Sequence, residues 1–415
     1  MSQRSLAVIG GGAAGLLAAG LAANGGCRVT LFEPNRQLGR KLRITGKGRC
    51  NLTNACDMPD FLEKIPHGNR FLYSAISRFT PYDVIDFFES RGVRLKIERG
   101  NRVFPQSDQA NEVVQALIDD CRRGDVTIRR MRVKELLLEK DRVAGVSTDK
   151  KQFVFDRVLI ATGGCSYPGT GSTGDGYHFA KQAGHTVSPL RPSLVPLITK
   201  EKWPTRVQGL SLRNVRLTVM DTDHDKRVYS QQGEALFTHF GVSGPLVLQA
   251  SALMDDMRPG RYQLQFDLKP ALTEEMLEQR ILREWSQASG KTTGNLMRTL
   301  LPSKLILPVC QLAKIPIGQL GSQMTKLQRK QLVTVLKRLP LTVEGFKSWE
   351  EAIITSGGVS LREINPKTME SKRKKGLYFA GEILDIDGYT GGFNLQIAWA
   401  TAAAAARAIC EDHKI

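Results

Sequence analysis

The chain of 415 residues exceeds one ordinary domain and carries ample apolar surface for a core. Its 59 Lys and Arg against 41 Asp and Glu give a formal charge of +18, an excess that attracts polyanions. The seven cysteines are odd in number and scattered without a C-x-x-C pair, which argues against a disulfide framework or a zinc site, so no metal is expected.

Met1 leads through polar residues into Leu6-Ala7-Val8-Ile9 without the pattern of a signal peptide, and no apolar run approaches the roughly 18 residues of a membrane span. A cytoplasmic protein with no membrane partner is expected. Strand and helix then alternate: Ser5–Ile9 reads as strand, Ala13–Ala23 as helix, Arg28–Phe32 as strand and Pro81–Arg91 as amphipathic helix, the pattern of a parallel sheet covered by helices. A helix through Val113, Val114, Leu117 and Ile118 is followed by short strands at 126–128, 136–138, 143–146 and 153–155 and by a strand at 157–161, a region that fits a sheet with an added β-meander.

Prolines 189, 192, 196 and 204 mark a change of texture, and alternating segments at 215–220 and 262–268 predict a β-rich insertion over 191–270. Helical spacing predicts a small helical subdomain over 271–345. The nucleotide domain, begun in 1–190, resumes in 346–415 with a strand at 376–380 and an Ala-rich helix at 397–410.

Gly10-Gly11-Gly12-Ala13-Ala14-Gly15 lies between the first strand and the first helix, the context in which a G-x-G-x-x-G pattern signifies dinucleotide binding. Gly10, Gly12 and Gly15 permit the tight turn and close backbone approach to a pyrophosphate, while Ala13 and Ala14 open a helix whose N–H groups face it. Glu33, at the end of the second strand, is placed to accept from ribose hydroxyls. FAD and NAD both satisfy this fingerprint.

Further glycine turns at Thr162-Gly163-Gly164, Gly381-Glu382 and Gly388–Asn394 follow strands, and the last leads into the final helix through Gly392, Asn394, Leu395 and Ile397. The start of that helix could face a flavin ring. In the segment 39–54, glycines alternate with cations and small polar groups: Arg40, Lys41, Gly46, Gly48, Arg49, Cys50, Asn51 and Thr53 suit a diphosphate and the polar edge of a flavin. Val133 completes the expected cofactor set.

These motifs, with Arg102-Val103-Phe104-Pro105, Gly233–Gly241 and Thr355-Ser356-Gly357-Gly358-Val359, resemble the BaiN/YhiN-type family of NAD(P)/FAD-dependent flavoproteins over essentially the whole chain. That family includes aminoacetone oxidases and ribosomal RNA dihydrouridine synthases. The resemblance implies FAD as cofactor and an α/β, Rossmann-like FAD-binding domain with an inserted β-barrel-like domain and a small helical subdomain. Many relatives begin the arginine motif with Gly where this chain has Asn101, which affects only a turn.

A flavin reduced by NAD(P)H passes hydride to an electron-poor carbon, and the adjacent carbon then needs a proton. Cys50, flanked by the cations Lys47 and Arg49, is a candidate acid, with a buried packing cysteine as the plainer explanation of the same residue. His239 is a second candidate, with a structural histidine as the plainer alternative. Tyr389 and Tyr167, beside glycine turns, are others. No second G-x-G-x-x-G is present, so NAD(P)H is expected to bind only transiently.

Between Trp285 and Val343 the chain holds Lys291, Arg298, Lys304, Lys314, Lys326, Arg329, Lys330, Lys337 and Arg338 but no Asp or Glu. Such a segment suits RNA phosphates. Together with this segment, the resemblance to the dihydrouridine-synthase branch implies ribosomal RNA as the partner, with uridine, a conjugated enone, as the group reduced in 23S RNA. A reductase of small enones or an oxidase of aminoketones is the alternative, and a flavin-carrying RNA-binding protein without turnover is a third reading.

Overall fold

The structure is a computed structural model that describes residues 3–288 and 290–411. It divides into two compact units, one formed by Met1–Ser193 with Trp349–Ile415 and the other by Leu194–Ser348. Among the described residues, no helix is long and apolar enough to cross a membrane.

In the first unit, β1 (Ser5–Ile9), α1 (Ala13–Asn24) and β2 (Arg28–Phe32) form the expected strand–helix–strand start. They are followed by α2 (Arg40–Gly48), α3 (Ala110–Arg123), β3 (Thr127–Arg129), β4 (Arg157–Ile160), β5 (Leu377–Phe379) and a long closing helix, Phe393–Glu411. The strands pair in parallel in the order β5-β4-β1-β2-β3. Burial on both faces explains why β1 and β4 read as unbroken apolar runs rather than alternating ones. The meander is present as three antiparallel strands at Val133–Leu138, Val143–Thr148 and Gln152–Val154.

The second unit is built on a closed six-stranded antiparallel barrel. Alternate residues such as Leu217, Val219, Leu264, Phe266, Leu341 and Val343 are buried, so side chains fill the barrel. Helices Glu274–Ser286, Ser303–Leu312 and Lys326–Lys337 belong to the same unit.

The boundaries differ in detail from those read in the sequence. Arg191–Ser193, placed by sequence in the insertion, pairs with Ile354–Ser356 in the first unit. Leu339–Phe346, assigned to the helical subdomain and the resumed nucleotide domain, is a barrel strand pairing with Tyr262–Asp267 and Leu197–Thr199. Its alternation of buried Leu339, Leu341 and Val343 was legible, but it adjoins a helix without an intervening glycine turn.

Candidate active site

At the carboxyl ends of β1 and β4, the first unit opens a cleft with a cavity volume of about 180 Å³. Gly10, Gly12, Ala13, Ala14 and Glu33 form one wall, Thr162 and Gly163 another, and Gly381, Glu382, Asn394, Leu395 and Ile397 a third.

Two glycines decide what this cleft accepts. Gly10 has φ +106°, and a Cβ there would lie 2.5 Å from the Ala161 carbonyl oxygen, so the turn requires glycine. Gly12 has an ordinary φ of −86°, and a Cβ there would meet no protein atom within 4 Å. It lines the cleft and precedes α1, whose first turn carries no acidic residue. A side chain at Gly12 would enter space that the helix terminus offers to an anion.

Glu33 is buried at the far side of this turn, where Oε2 accepts from the Gly11 N–H at 2.8 Å and Oε1 from the Asn35 N–H and side-chain amide at 2.9 and 2.7 Å. These bonds fix the carboxylate against the glycine loop. Helix α2 then begins with Arg40 and Lys41, the unfavourable sign for a helix N-terminus unless an anion or acid lies nearby. For Lys41 that acid is Glu382. Lys41 Nζ donates to Glu382 Oε2 and to Ser166 Oγ, both at 2.6 Å. Glu382 Oε1 accepts from Ser166 Oγ at 2.8 Å and from the Thr355 N–H at 2.9 Å. Arg40 remains at the edge, donating to Asn35 Oδ1 at 2.8 Å.

Part of the expected site is displaced. Within 39–54, only Gly39, Arg40, Lys41, Leu42 and Thr45 line the cleft. Gly46, Gly48, Arg49, Cys50, Asn51 and Thr53 do not, because α2 kinks at Thr45–Lys47 and redirects the chain. Arg49 pairs with Glu98 and Asp108 and lies over the Phe104 ring. Gly15, Gly164 and Gly392 are also off the wall; an added Cβ would strike the Gly10 carbonyl, the Thr355 hydroxyl and the Thr53 carbonyl respectively, so close packing accounts for them. Val133 lines a smaller cavity beside Gly10, Glu33 and Thr162.

The proton-donor candidates separate as well. Cys50 is fully buried, and burial pushes its thiol up to about 12 despite a hydrogen bond with Thr45. Activation of this thiol by Lys47 and Arg49 is thus corrected, since the cations turn away and desolvation controls the group. His239 lies exposed in the second unit, its ring edge-on to Phe240 at 4.9 Å. Tyr389 is half-buried beside the start of the closing helix, and burial, with the nearby Asp387 charge, pushes its phenol up. Tyr167 holds a left-handed backbone, with φ 51°, and donates its N–H to the Trp349 carbonyl at 3.0 Å.

Sequence reading missed Asn35, Gln37 and the Thr170-Gly171-Ser172 turn, all of which line the cleft. The polar glycine run 169–174 was a usable signal. The support from Ser166 and Thr355 had none, because it depends on contacts between distant segments.

A family model for the HI0933-like protein Rossmann domain matches residues 4–408. The chain belongs to the HI0933-like family. Two relatives divide the possible chemistry. The ribosomal RNA dihydrouridine synthase of Escherichia coli K12 is 33% identical over 410 residues, covering 98% of each chain. The 3-dehydro-bile acid delta(4,6)-reductase of Clostridium scindens ATCC 35704 is 32% identical over 413 residues, covering 98% of this chain and 99% of that protein. Among solved structures, the 3-ketosteroid delta1-dehydrogenase of Sterolibacterium denitrificans shares the fold at TM-score 0.51 and 12% identity, with 99% of this chain and 100% of that one covered. This HI0933-like chain is a flavin oxidoreductase, as its family and relatives are. Among its described residues, no group of three or more His, Cys, Asp or Glu is arranged to hold a metal ion.

Proposed function

We propose that the cleft holds FAD and that the protein reduces uridine in 23S ribosomal RNA to dihydrouridine, with NAD(P)H as the source of hydride. The fit to FAD rests on the open space beside Gly12, the acid-free start of α1 and the fixed Glu33 carboxylate. Bound FAD would supply a two-electron carrier able to deliver hydride to an electron-poor carbon.

The residues around it have separable tasks. With FAD bound, Gly12 and the first N–H groups of α1 would hold the diphosphate and Glu33 would take the adenosine ribose. The Lys41–Glu382 pair, braced by Ser166 and Thr355, would offer the cofactor's polar groups a fixed charged partner. Leu42, Ile354, Ile386, Leu395 and Ile397 give the cleft apolar walls that exclude water. Tyr389 is not on the cleft wall but precedes Asn394 and Leu395, which are, and its phenol, pushed up by burial, would give its proton to the carbon next to the one that receives hydride.

The observation that carries the RNA reading is a set of unpaired cations in the second unit. Lys291, Arg298, Lys326 and Lys330 are exposed and have no carboxylate partner among the described residues. Of the other expected RNA contacts, Arg329 pairs with Glu278, Lys337 with Asp267 and Arg338 with Glu274, which offsets their charge. Lys304 donates to the Gln208 carbonyl at 3.1 Å and remains exposed. An RNA substrate also implies a cytoplasmic enzyme.

The test is mass spectrometry of ribosomal RNA nucleosides from a strain lacking the gene. Dihydrouridine is expected to fall and to return on complementation; an unchanged level overturns the reading. The bile-acid relative and the apolar cleft walls favour a second reading, reduction of a small conjugated enone. That reading predicts rapid turnover of such a compound, indifferent to salt.

A further inference from the structure

Seven cysteines that look unrelated in the sequence include one pair that the fold brings together. Cys27 lies between α1 and β2, and Cys410 lies in the last turn of the helix Phe393–Glu411, labelled α4 from here on. Their sulfurs are 3.8 Å apart, although the residues are separated by 383 positions. Cys27 is 2% exposed and Cys410 is half-buried, so the contact lies just beneath the surface.

The surroundings suit a reactive pair better than inert packing. A Cβ on Gly25 would lie 2.6 Å from the Cys410 sulfur, so the chain leaves room for that side chain where another residue would displace it. The hydrogen bond from Cys410, aided by the charges of Arg4 and Arg157, holds the Cys27 thiol below its ordinary value against the opposing effect of burial. Cys410 is pushed up by the same contact and by burial. Within the pair, ionisation therefore falls to Cys27 rather than Cys410. By contrast, Cys50 and Cys121 are buried and pushed up to about 12, and Cys310 to about 11, which leaves them as thiols.

We propose that Cys27 and Cys410 form an oxidative modification site at which hydrogen peroxide closes a reversible disulfide between the start of β2 and the end of α4. The thiolate attacks the O–O bond, giving a sulfenic acid and hydroxide. The second thiol then attacks that sulfur, the S–S bond forms, and the sulfenic oxygen leaves as water once the displaced proton is counted. The balance is two thiols and one peroxide to one disulfide and two waters. Closure brings the sulfurs to about 2.0 Å, a movement that the final turn of a helix can supply by side-chain rotation and fraying. In a reducing cell such a bond is transient, the usual form of an intracellular disulfide.

The closed bond acts on the cleft through α4. Asn394, Leu395, Ile397 and Ala398, in the first turns of α4, line the cleft, and the disulfide would tie the other end of the same helix to the β1–α1–β2 unit that carries Gly10 and Glu33. This inference does not depend on which substrate the enzyme reduces.

The test treats purified full-length protein with hydrogen peroxide, blocks remaining thiols and maps peptides without reductant. A crosslinked peptide containing Cys27 and Cys410 is expected, lighter by two hydrogen atoms than its parts, that disappears with dithiothreitol. In Cys410→Ala, Cys27 is expected to accumulate as a dimedone-trapped sulfenic acid. The proposal is overturned if both residues stay alkylatable while other cysteines oxidise, or if each is oxidised separately to sulfinic or sulfonic acid. Wild-type mapping alone yields either result, so the test survives a poorly folded variant.

Discussion

Lys41 and Glu382 meet at 2.6 Å on the wall of the cleft, although 341 positions separate them in the chain. One belongs to the first turn of α2 and the other follows β5, so the contact joins the amino-terminal and carboxy-terminal parts of the nucleotide-binding unit. Its position makes it the polar centre of the cleft wall.

Removing the cation should therefore weaken FAD binding before it weakens the fold. In Lys41→Met, Glu382 keeps Ser166 and Thr355 but loses its charged partner, at a cost of about 2 kcal/mol, or roughly thirtyfold in Kd. Titration of the apoprotein with FAD by flavin fluorescence measures this. An unchanged Kd would remove Lys41 from the cofactor site.

The two glycines of the loop should fail differently. Gly10→Ala places a Cβ against the Ala161 carbonyl at an unfavourable φ and should cost about 1–3 kcal/mol of fold stability. Gly12→Val meets no protein atom at its Cβ, so the apoprotein should melt near the wild-type Tm while taking up little FAD. Thermal melts of the two apoproteins, read beside flavin content, check the contrast. Equal flavin content in Gly12→Val and wild type would place the diphosphate elsewhere.

This contrast also marks what the sequence made legible. The glycine loop, Glu33 and the parallel strands were readable because each has a local signature in spacing and apolar runs. The fate of segment 39–54 was not: the kink at Thr45–Lys47 sends Arg49 to Glu98 and Asp108, acids supplied by other parts of the chain. Likewise, the segment free of acids between Trp285 and Val343 is real in sequence, yet Glu274 and Glu278 on an earlier helix neutralise two of its cations. Pattern locates a residue on an element, whereas the partner across space depends on tertiary contact.

The remaining unpaired cations should set the salt dependence of RNA binding. Each of Lys291→Gln, Lys326→Gln and Lys330→Gln should lower the slope of log K against log salt by about 1 if its side chain meets a phosphate. Flavin content should not change. Filter binding to ribosomal RNA across a salt series is the measurement, and slopes equal to wild type in all three variants would contradict the assigned surface.

Acid should destabilise the first unit through Glu363 and His185. Burial acts to raise the Glu363 carboxyl, but Arg373 and the Thr186 N–H and hydroxyl outweigh it and bring the group down to about 2. A carboxyl depressed from its ordinary value of 4.5 contributes stability above that value and loses it as pH falls towards 2. Burial lowers His185 from 6.5 against the opposing pull of Glu363, so it too favours the folded state above its unfolded value and loses that contribution on acidification. Urea unfolding from pH 7 to pH 3 should show declining stability, with a shallower decline in Glu363→Gln. Parallel curves would show that this cluster does not govern the acid limb.

Tyr389→Phe separates proton delivery from hydride delivery. It should lower kcat for the substrate roughly hundredfold, within the usual range for loss of a general acid, and leave reduction of the flavin by NAD(P)H unchanged. Stopped-flow measurement of the two half-reactions distinguishes them; an equal loss in both would indicate a structural role.

The central claim is that one cleft carries FAD and delivers its hydride to RNA. Its most direct test is anaerobic: the holoenzyme is reduced with NADPH, freed of excess reductant and mixed with unmodified 23S ribosomal RNA. The account predicts reoxidation of the flavin with formation of an equal amount of dihydrouridine. A flavin that stays reduced with RNA but is reoxidised promptly by a small conjugated enone would contradict it.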